Sequence, residues 1–406
     1  MLKDIFTDGI YALLNKVCYF GAKTLSILMI TRELGIENGG SFILLVGTLE
    51  ILRVLADFGV DVYVIRKYTE AERRLELLGN VFCQKLITGS LFSFLFFVYC
   101  YFAGYSFNVY GPIAISLFFA MFFNMAGSFF QSLNSNKSLT PIIIMVTTLV
   151  VCVLLIGYVM KVGFSAWYYL FVEVSFVSAV SFFLLRYLGL TFLPQLRKAS
   201  LKNILSLYNK TKSIGFNAII VIFYSRLDNF YIKHFDPASL ASYGQVFRLI
   251  DPLVMISSVF STVAYARFSH YDLREGNLIK KISPFLFCVI LYGIVSSSLY
   301  YFAVSTFGHN VILYSSDVNA IVICFLLVAS IKCVNGALTS IIQSQGLYRF
   351  GLYTASVCII VAVPLMYFLV LKCGAVGAVY SIIAVESISL LLLLTCVLMM
   401  KRKTKS

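Results

Sequence analysis

The chain has 406 residues, of which 60% are hydrophobic and 12% charged, and its mean hydropathy is +0.91. Soluble domains carry about 25% charged residues, so a globule of this length would lack the ionic groups to cover its surface. Disorder, a coiled coil and a disulfide-stapled secreted scaffold are excluded by the same numbers. The net charge of +14 raises nucleic acid as a partner, but positively charged inner loops of a membrane protein explain it without one.

Long unbroken apolar runs, rather than the ~10-residue alternation of a barrel, predict an all-α integral membrane protein. About twelve spans fit the length at ~20–25 residues each. In chain order they are 10–31, 41–65, 78–104, 111–134, 141–162 and 165–187, then 213–233, 240–266, 282–306, 319–344, 350–371 and 374–400. With the N-terminus inside, loops on the cytoplasmic side hold 21 basic residues, among them Arg66, Lys67, Arg197, Lys198, Lys280 and Lys401. The opposite side holds only Arg32, Lys161, Lys233 and Lys372. Both termini are therefore expected in the cytoplasm.

The longest polar stretch between spans, 190–212, reads as a cytoplasmic linker between an N-lobe (1–189) and a C-lobe (213–406). An internal repeat supports two six-helix halves. At an offset of 201 residues Arg32 meets Lys233, Ser41 meets Ser242, Glu50 meets Asp251 and Arg66 meets Arg267. Six spans per half make the repeat parallel, and sites in such folds lie near the midplane between halves.

Fourteen charges fall within spans. The basic ones are Lys16, Lys23, Arg53, Lys85, Arg226, Arg248 and Lys332; the acids are Glu50, Asp57, Asp61, Glu173, Asp228, Asp251 and Glu386. A lipid-facing charge near the centre costs ~2.5–3.5 kcal/mol, so these are expected to face protein or a water-filled cavity. Lys85 and Lys16 are expected to snorkel to the cytoplasmic interface. Glu50, Arg53, Asp57 and Asp61 are spaced 3, 4 and 4 and share one helix face. Polar stripes also run through Lys332, Asn335, Thr339 and Gln343 on the tenth span and Asn124, Ser128, Gln131 and Ser135 on the fourth. Spans three, five, nine and eleven are nearly pure apolar, as an outer, lipid-facing ring would be.

Two readings of the charges stay open. Arg53 with Glu50 or Asp57, and Arg248 with Asp251, stand at helical pairing distance and would lock the bundle. Alternatively the set lines a ligand cavity. Asp57 and Asp61 pair with Arg53 or with Lys16 and Lys23 in the first case and couple an ion in the second. Glu173 and Glu386, each a lone acid on an apolar helix, divide the same way. The ten cysteines form no CxxC pair, and His234, His270 and His309 lie far apart, so no metal site or cofactor is indicated.

The stretch from Thr31-Arg-Glu-Leu-Gly through Gly39-Gly-Ser-Phe, then Leu52-Arg-Val-Leu-Ala-Asp-Phe-Gly and the basic exit Ile65-Arg-Lys, resembles the opening of Wzx-type polysaccharide flippases. These belong to the MATE-like MOP superfamily. Tyr224-Ser-Arg-Leu-Asp-Asn, Ala241-Ser-Tyr-Gly-Gln and Gln343-Ser-Gln-Gly-Leu extend the likeness over most of the chain. The resemblance implies a flippase that moves undecaprenyl-pyrophosphate-linked oligosaccharide, an O-antigen or similar repeat unit, across a bacterial inner membrane. By similarity to lipid II flippases, Lys16, Lys23, Arg53 and Arg248 would face the pyrophosphate. Lysine replaces the arginine common there on the first helix, which forgoes bidentate phosphate gripping. Twelve spans, without the two further helices of lipid II flippases, favour the O-antigen branch.

The expected mechanism is alternating access by two rocking lobes, with Arg226 and Lys332 as further cations. Asn124, Gln131, Asn335 and Gln343 would serve the glycan, and Asp57, Asp61 or Glu386 would couple a proton or sodium gradient. Expected partners are membrane lipid, the polysaccharide polymerase and a chain-length regulator. A MATE-like drug exporter would call for an acidic or aromatic cavity. A polymerase or ligase would need a large outer loop, whereas the longest one, 305–318, offers only His309.

Overall fold

A computed structural model describes residues 2–68, 74–133, 135–189, 201–250, 253–254, 268, 278–307, 318–345 and 347–402. In chain order the helices are α1 (Leu2–Asp57), α2 (Val60–Lys67), α3 (Arg74–Phe102), α4 (Phe107–Ser132), α5 (Asn136–Val159) and α6 (Ala166–Leu188). They continue with α7 (Leu201–Phe235), α8 (240–250), α9 (Leu278–Phe307), α10 (Val318–Ser344) and α11 (Tyr348–Arg402). Helices satisfy every backbone group internally, which a bilayer core demands.

Eight of these helices are long and apolar enough to cross a membrane. The apolar parts of α1 and α11 span 48 and 51 residues. Straight, they would measure more than ~70 Å against a ~30 Å hydrocarbon core, so each must contain two passes. Both break at a glycine in the left-handed region, Gly35 (φ 73°) and Gly374 (φ 55°), where a side chain would be strained. The break between α7 and α8 falls at Asp236, before a 3-10 turn at Pro237–Ser239. Asp236 stands 201 residues after Gly35, so the first hairpin of each half turns at the same register. Its carboxylate accepts the Ala375 N–H at 3.1 Å, capping the helix that restarts after Gly374. The chain is a multi-pass membrane protein. The eighth expected span is described only over 240–250 and 253–254, and 308–317, including His309, lies outside the described residues.

Contacts divide the chain into two units, Met1–Leu34 with Ser41–Ile222, and Gly35–Gly40 with Phe223–Ser406. In the first, α4 packs on α2, α3, α5 and α6; in the second, α10 packs on α9 and α11. The expected linker 190–212 lies outside the described residues over 190–200, and from 201 on it is helical. Ile204, Leu207 and Thr211 are buried at helical spacing while Lys202, Lys210 and Lys212 are exposed, an amphipathic pattern that needs no loop.

The inner and outer roles follow the polar stripes. Only 28% of the apolar stretch in each of α3, α5 and α9 is buried, against 61% in α1 and α4 and 50% in α10. In the second unit Phe268, Ile282, Leu338, Ile341 and Leu393 close one apolar core.

Candidate substrate-binding site

In the first unit, α1 places Asn15, Tyr19, Lys23, Ser26 and Ile30 along one buried face. Lys23 forms an ion pair with Glu173 of α6, the two side chains being 5% and 0% exposed. The second carboxylate oxygen of Glu173 accepts the Tyr19 hydroxyl at 2.6 Å, and the Tyr19 ring stacks on Phe123 at 4.0 Å. The Lys23 ammonium lies 4.7 Å from the Tyr169 ring centre, within cation–π range. Glu173 is therefore not a lone acid: its partner comes from another helix, which spacing along α6 cannot reveal. Half-buried Arg53 donates to Asn124 Oδ1 at 3.1 Å. Gln131 is half-buried and Lys16 exposed.

The second span is interrupted after Asp57, where Phe58 (φ 50°) and Gly59 (φ 77°) both take left-handed backbone. The Asp57 carboxylate accepts the Gly59 and Asp61 N–H groups at 3.1 and 3.2 Å, which holds the break. A Cβ on Gly59 would meet Ile214 at 2.9 Å, so α7 packs directly against it. Lys85 of α3 pairs with Asp57, and with Asp61 at 2.9 Å. This corrects two expectations. Lys85 does not snorkel but is 0% exposed, and Asp57 and Asp61 find their cation on α3 rather than in Arg53, Lys16 or Lys23. The reason is packing: Leu78, Val81, Lys85 and Gly89 form one buried stripe, and small Gly89 lets α3 approach α4. Gln84, buried beside Lys85, donates to the Ala56 carbonyl at 2.7 Å.

In the second unit, the Arg226 guanidinium stands 4.5 Å over the Phe247 ring and the Lys332 ammonium 5.9 Å from it. Asp228 accepts the Tyr243 hydroxyl at 2.5 Å. Glu386 accepts the Asn335 amide at 2.8 Å and lies 3.8 Å from Lys332. It too has polar partners on a neighbouring helix. Tyr224, Ser225, Lys332 and Glu386 line a small recess, closed by Ala362, Met366, Ile382 and Val385. Arg248 is buried and Gln343 half-buried; Asp251, its expected partner in a pair, lies outside the described residues.

Of the expected site residues, the structure brings together Arg53 with Asn124, Asp57 with Asp61, and Lys332 with Asn335 and Glu386. Tyr19, Tyr169 and Glu173 surround Lys23, Lys85 joins Asp57 and Asp61, and Phe247 lies beside Lys332; of these, only Glu173 is a sequence candidate, as an ion-coupling acid.

Residues 5–272 match the family model described as polysaccharide biosynthesis protein. The chain belongs to that family. The resemblance to polysaccharide flippases, read from residues 31–67 and from the second-half motifs, is borne out by that family. Among curated proteins, none matches the chain. Solved structures share its fold. An outward-facing MATE family multidrug resistance transporter of the MOP superfamily superposes with TM-score 0.68 at 11% identity, covering 100% of this chain and 96% of its own. The lipid II flippase MurJ in an inward closed conformation gives 0.66 at 13%, covering 97% and 90%. The eukaryotic MATE transporter AtDTX14 gives 0.63 at 15%, covering 99% and 97%. Those relatives are transporters and a flippase, and the likeness to them is one of fold.

Proposed function

We propose that this protein flips an undecaprenyl-pyrophosphate-linked oligosaccharide, an O-antigen or similar repeat unit of lipopolysaccharide biosynthesis, from the cytoplasmic to the periplasmic leaflet of a bacterial inner membrane. The observation that carries this is a polysaccharide biosynthesis chain with cations buried inside its spans: Arg226 and Arg248 are 8% and 6% exposed, and Arg53 is half-buried. Such groups belong to a substrate path rather than to lipid contact. A phosphate ~4 Å from one cation gains on the order of 4 kcal/mol at an effective dielectric near 20, so two or three cations suffice to hold a pyrophosphate. Asn124, Gln131, Asn335 and Gln343 offer amides to sugar hydroxyls. A proton or sodium gradient drives alternating access, with Asp57, Asp61 and Glu386 as the carboxylates that couple it. The polymerase and chain-length regulator take the product onward.

Arg53→Ala and Arg248→Ala test the reading in a strain lacking the chromosomal copy. Surface polysaccharide should be lost while membrane expression persists, and full complementation by both variants would overturn it. Lys23→Ala is a poorer test, because it strands Glu173 in the protein interior. Alkaline phosphatase fused at Ser406 should be inactive, a reading that the basic-residue bias of the loops supports; an active fusion would reverse the topology.

A further inference from the structure

Lys23, the lysine that the family likeness assigns to pyrophosphate, already holds an anion. Resting on the flippase reading above, we infer that Glu173 is a built-in counter-anion that occupies Lys23 between cycles, yields it to the phosphate of an incoming lipid, and recaptures it to expel the product.

The carboxylate is held as a phosphate would be. One oxygen faces the Lys23 ammonium and the other accepts the Tyr19 hydroxyl at 2.6 Å. The Tyr169 hydroxyl, buried beside the same ammonium, donates its proton to no acceptor among the described residues. It is a donor left over for an anion with more oxygens than a carboxylate. Arg53 lies within electrostatic reach of Glu173 and Glu50 and donates to the neutral Asn124 amide oxygen. An anion that engages Arg53 is therefore within electrostatic reach of Lys23 as well.

The physical logic is exchange. A buried ammonium without a partner is costly, whereas trading one anion for another leaves its desolvation unchanged. Lysine carries three N–H donors, so it can hold both anions during the trade. A buried cation with no competitor would bind pyrophosphate and keep it. Glu173 makes that binding reversible and excludes lipids without an anionic group, which cannot displace a carboxylate. It acts here as a positioning residue through Lys23.

The test uses the full chain in nanodiscs with farnesyl pyrophosphate as probe, and proteoliposomes with a labelled polyprenyl-pyrophosphate lipid. Glu173→Gln keeps the size and the Tyr19 hydrogen bond but removes the competing charge. Probe affinity should rise tenfold or more, the half-saturating lipid concentration should fall, and the maximal flipping rate should fall tenfold or more. A purely structural carboxylate would instead give weaker or equal binding, with affinity and rate declining together, and that result overturns the inference. If Glu173→Gln does not fold, Glu173→Asp, which lengthens the pair, should bind the probe two- to fivefold more tightly and flip more slowly; no change overturns the idea. If neither the wild type nor either variant binds the probe, the phosphate reading itself falls. If the wild type binds and Glu173→Gln binds no better, only the role of Glu173 falls.

Discussion

In the first unit Lys23 and Lys85 end directly on carboxylates with side chains 5% and 0% exposed, whereas in the second unit Lys332 stands 3.8 Å from Glu386, 20% exposed, beside a recess. The difference separates two uses of charge inside a membrane. A fully enclosed ammonium is tolerable only when an anion replaces its lost hydration, so the pairs in the first unit are part of the fold and open to a ligand only by exchange. Lys332 rests near an aromatic ring, which satisfies charge but fills none of its N–H donors. It keeps hydrogen-bonding capacity for a ligand without prior displacement.

The largest effect should come from Lys85→Met, which leaves Asp57 and Asp61 facing each other without a cation. Removing one partner of a buried pair costs about 3–5 kcal/mol, so thermal unfolding in detergent should shift sharply downward. Wild-type stability in that variant would erase the distinction between the units. Next, Lys332→Ala should cut flipping tenfold or more while stability moves by no more than ~1 kcal/mol, the range of a loose, partly hydrated pair. An equal loss of stability and transport would make Lys332 another structural cation. The smallest effect belongs to Asp236→Ala, which deletes the cap on the Ala375 N–H. Losing such a cap costs ~1 kcal/mol, visible as a modest shift in denaturation midpoint with transport retained. Asp236→Asn, which keeps an acceptor, should recover most of it.

Much of the fold was legible in the sequence because its signals are local. Apolar run length sets the span count, the basic-loop bias predicts orientation, and Gly35 and Gly374 mark hairpins where the chain needs positive φ. Gly35 and Asp236 break their helices at the offset of the repeat. The charged partners were less legible. Lys85 shares its stripe with Leu78, Val81 and Gly89, and that spacing with a glycine was a readable sign of a buried, closely packed face. Glu173 offered no comparable sign, because the residue that pairs with it is 150 positions away. The α-helical nature of 201–212 was also available, in the spacing of Ile204, Leu207 and Thr211 beneath a basic face.

By itself, the sequence determined that this chain crosses a membrane many times as α-helices and that charges lie inside its spans. Hydrophobic transfer and backbone hydrogen bonding act on each segment separately, so composition and periodicity suffice. Only the tertiary structure decided which charge answers which: Lys23 to Glu173, Lys85 to Asp57 and Asp61, Lys332 to Glu386. Periodicity shows which face of a helix is polar but not which neighbour that face meets. In a low-dielectric interior the meeting of faces is what separates a cation that holds the bundle from one that can hold a ligand.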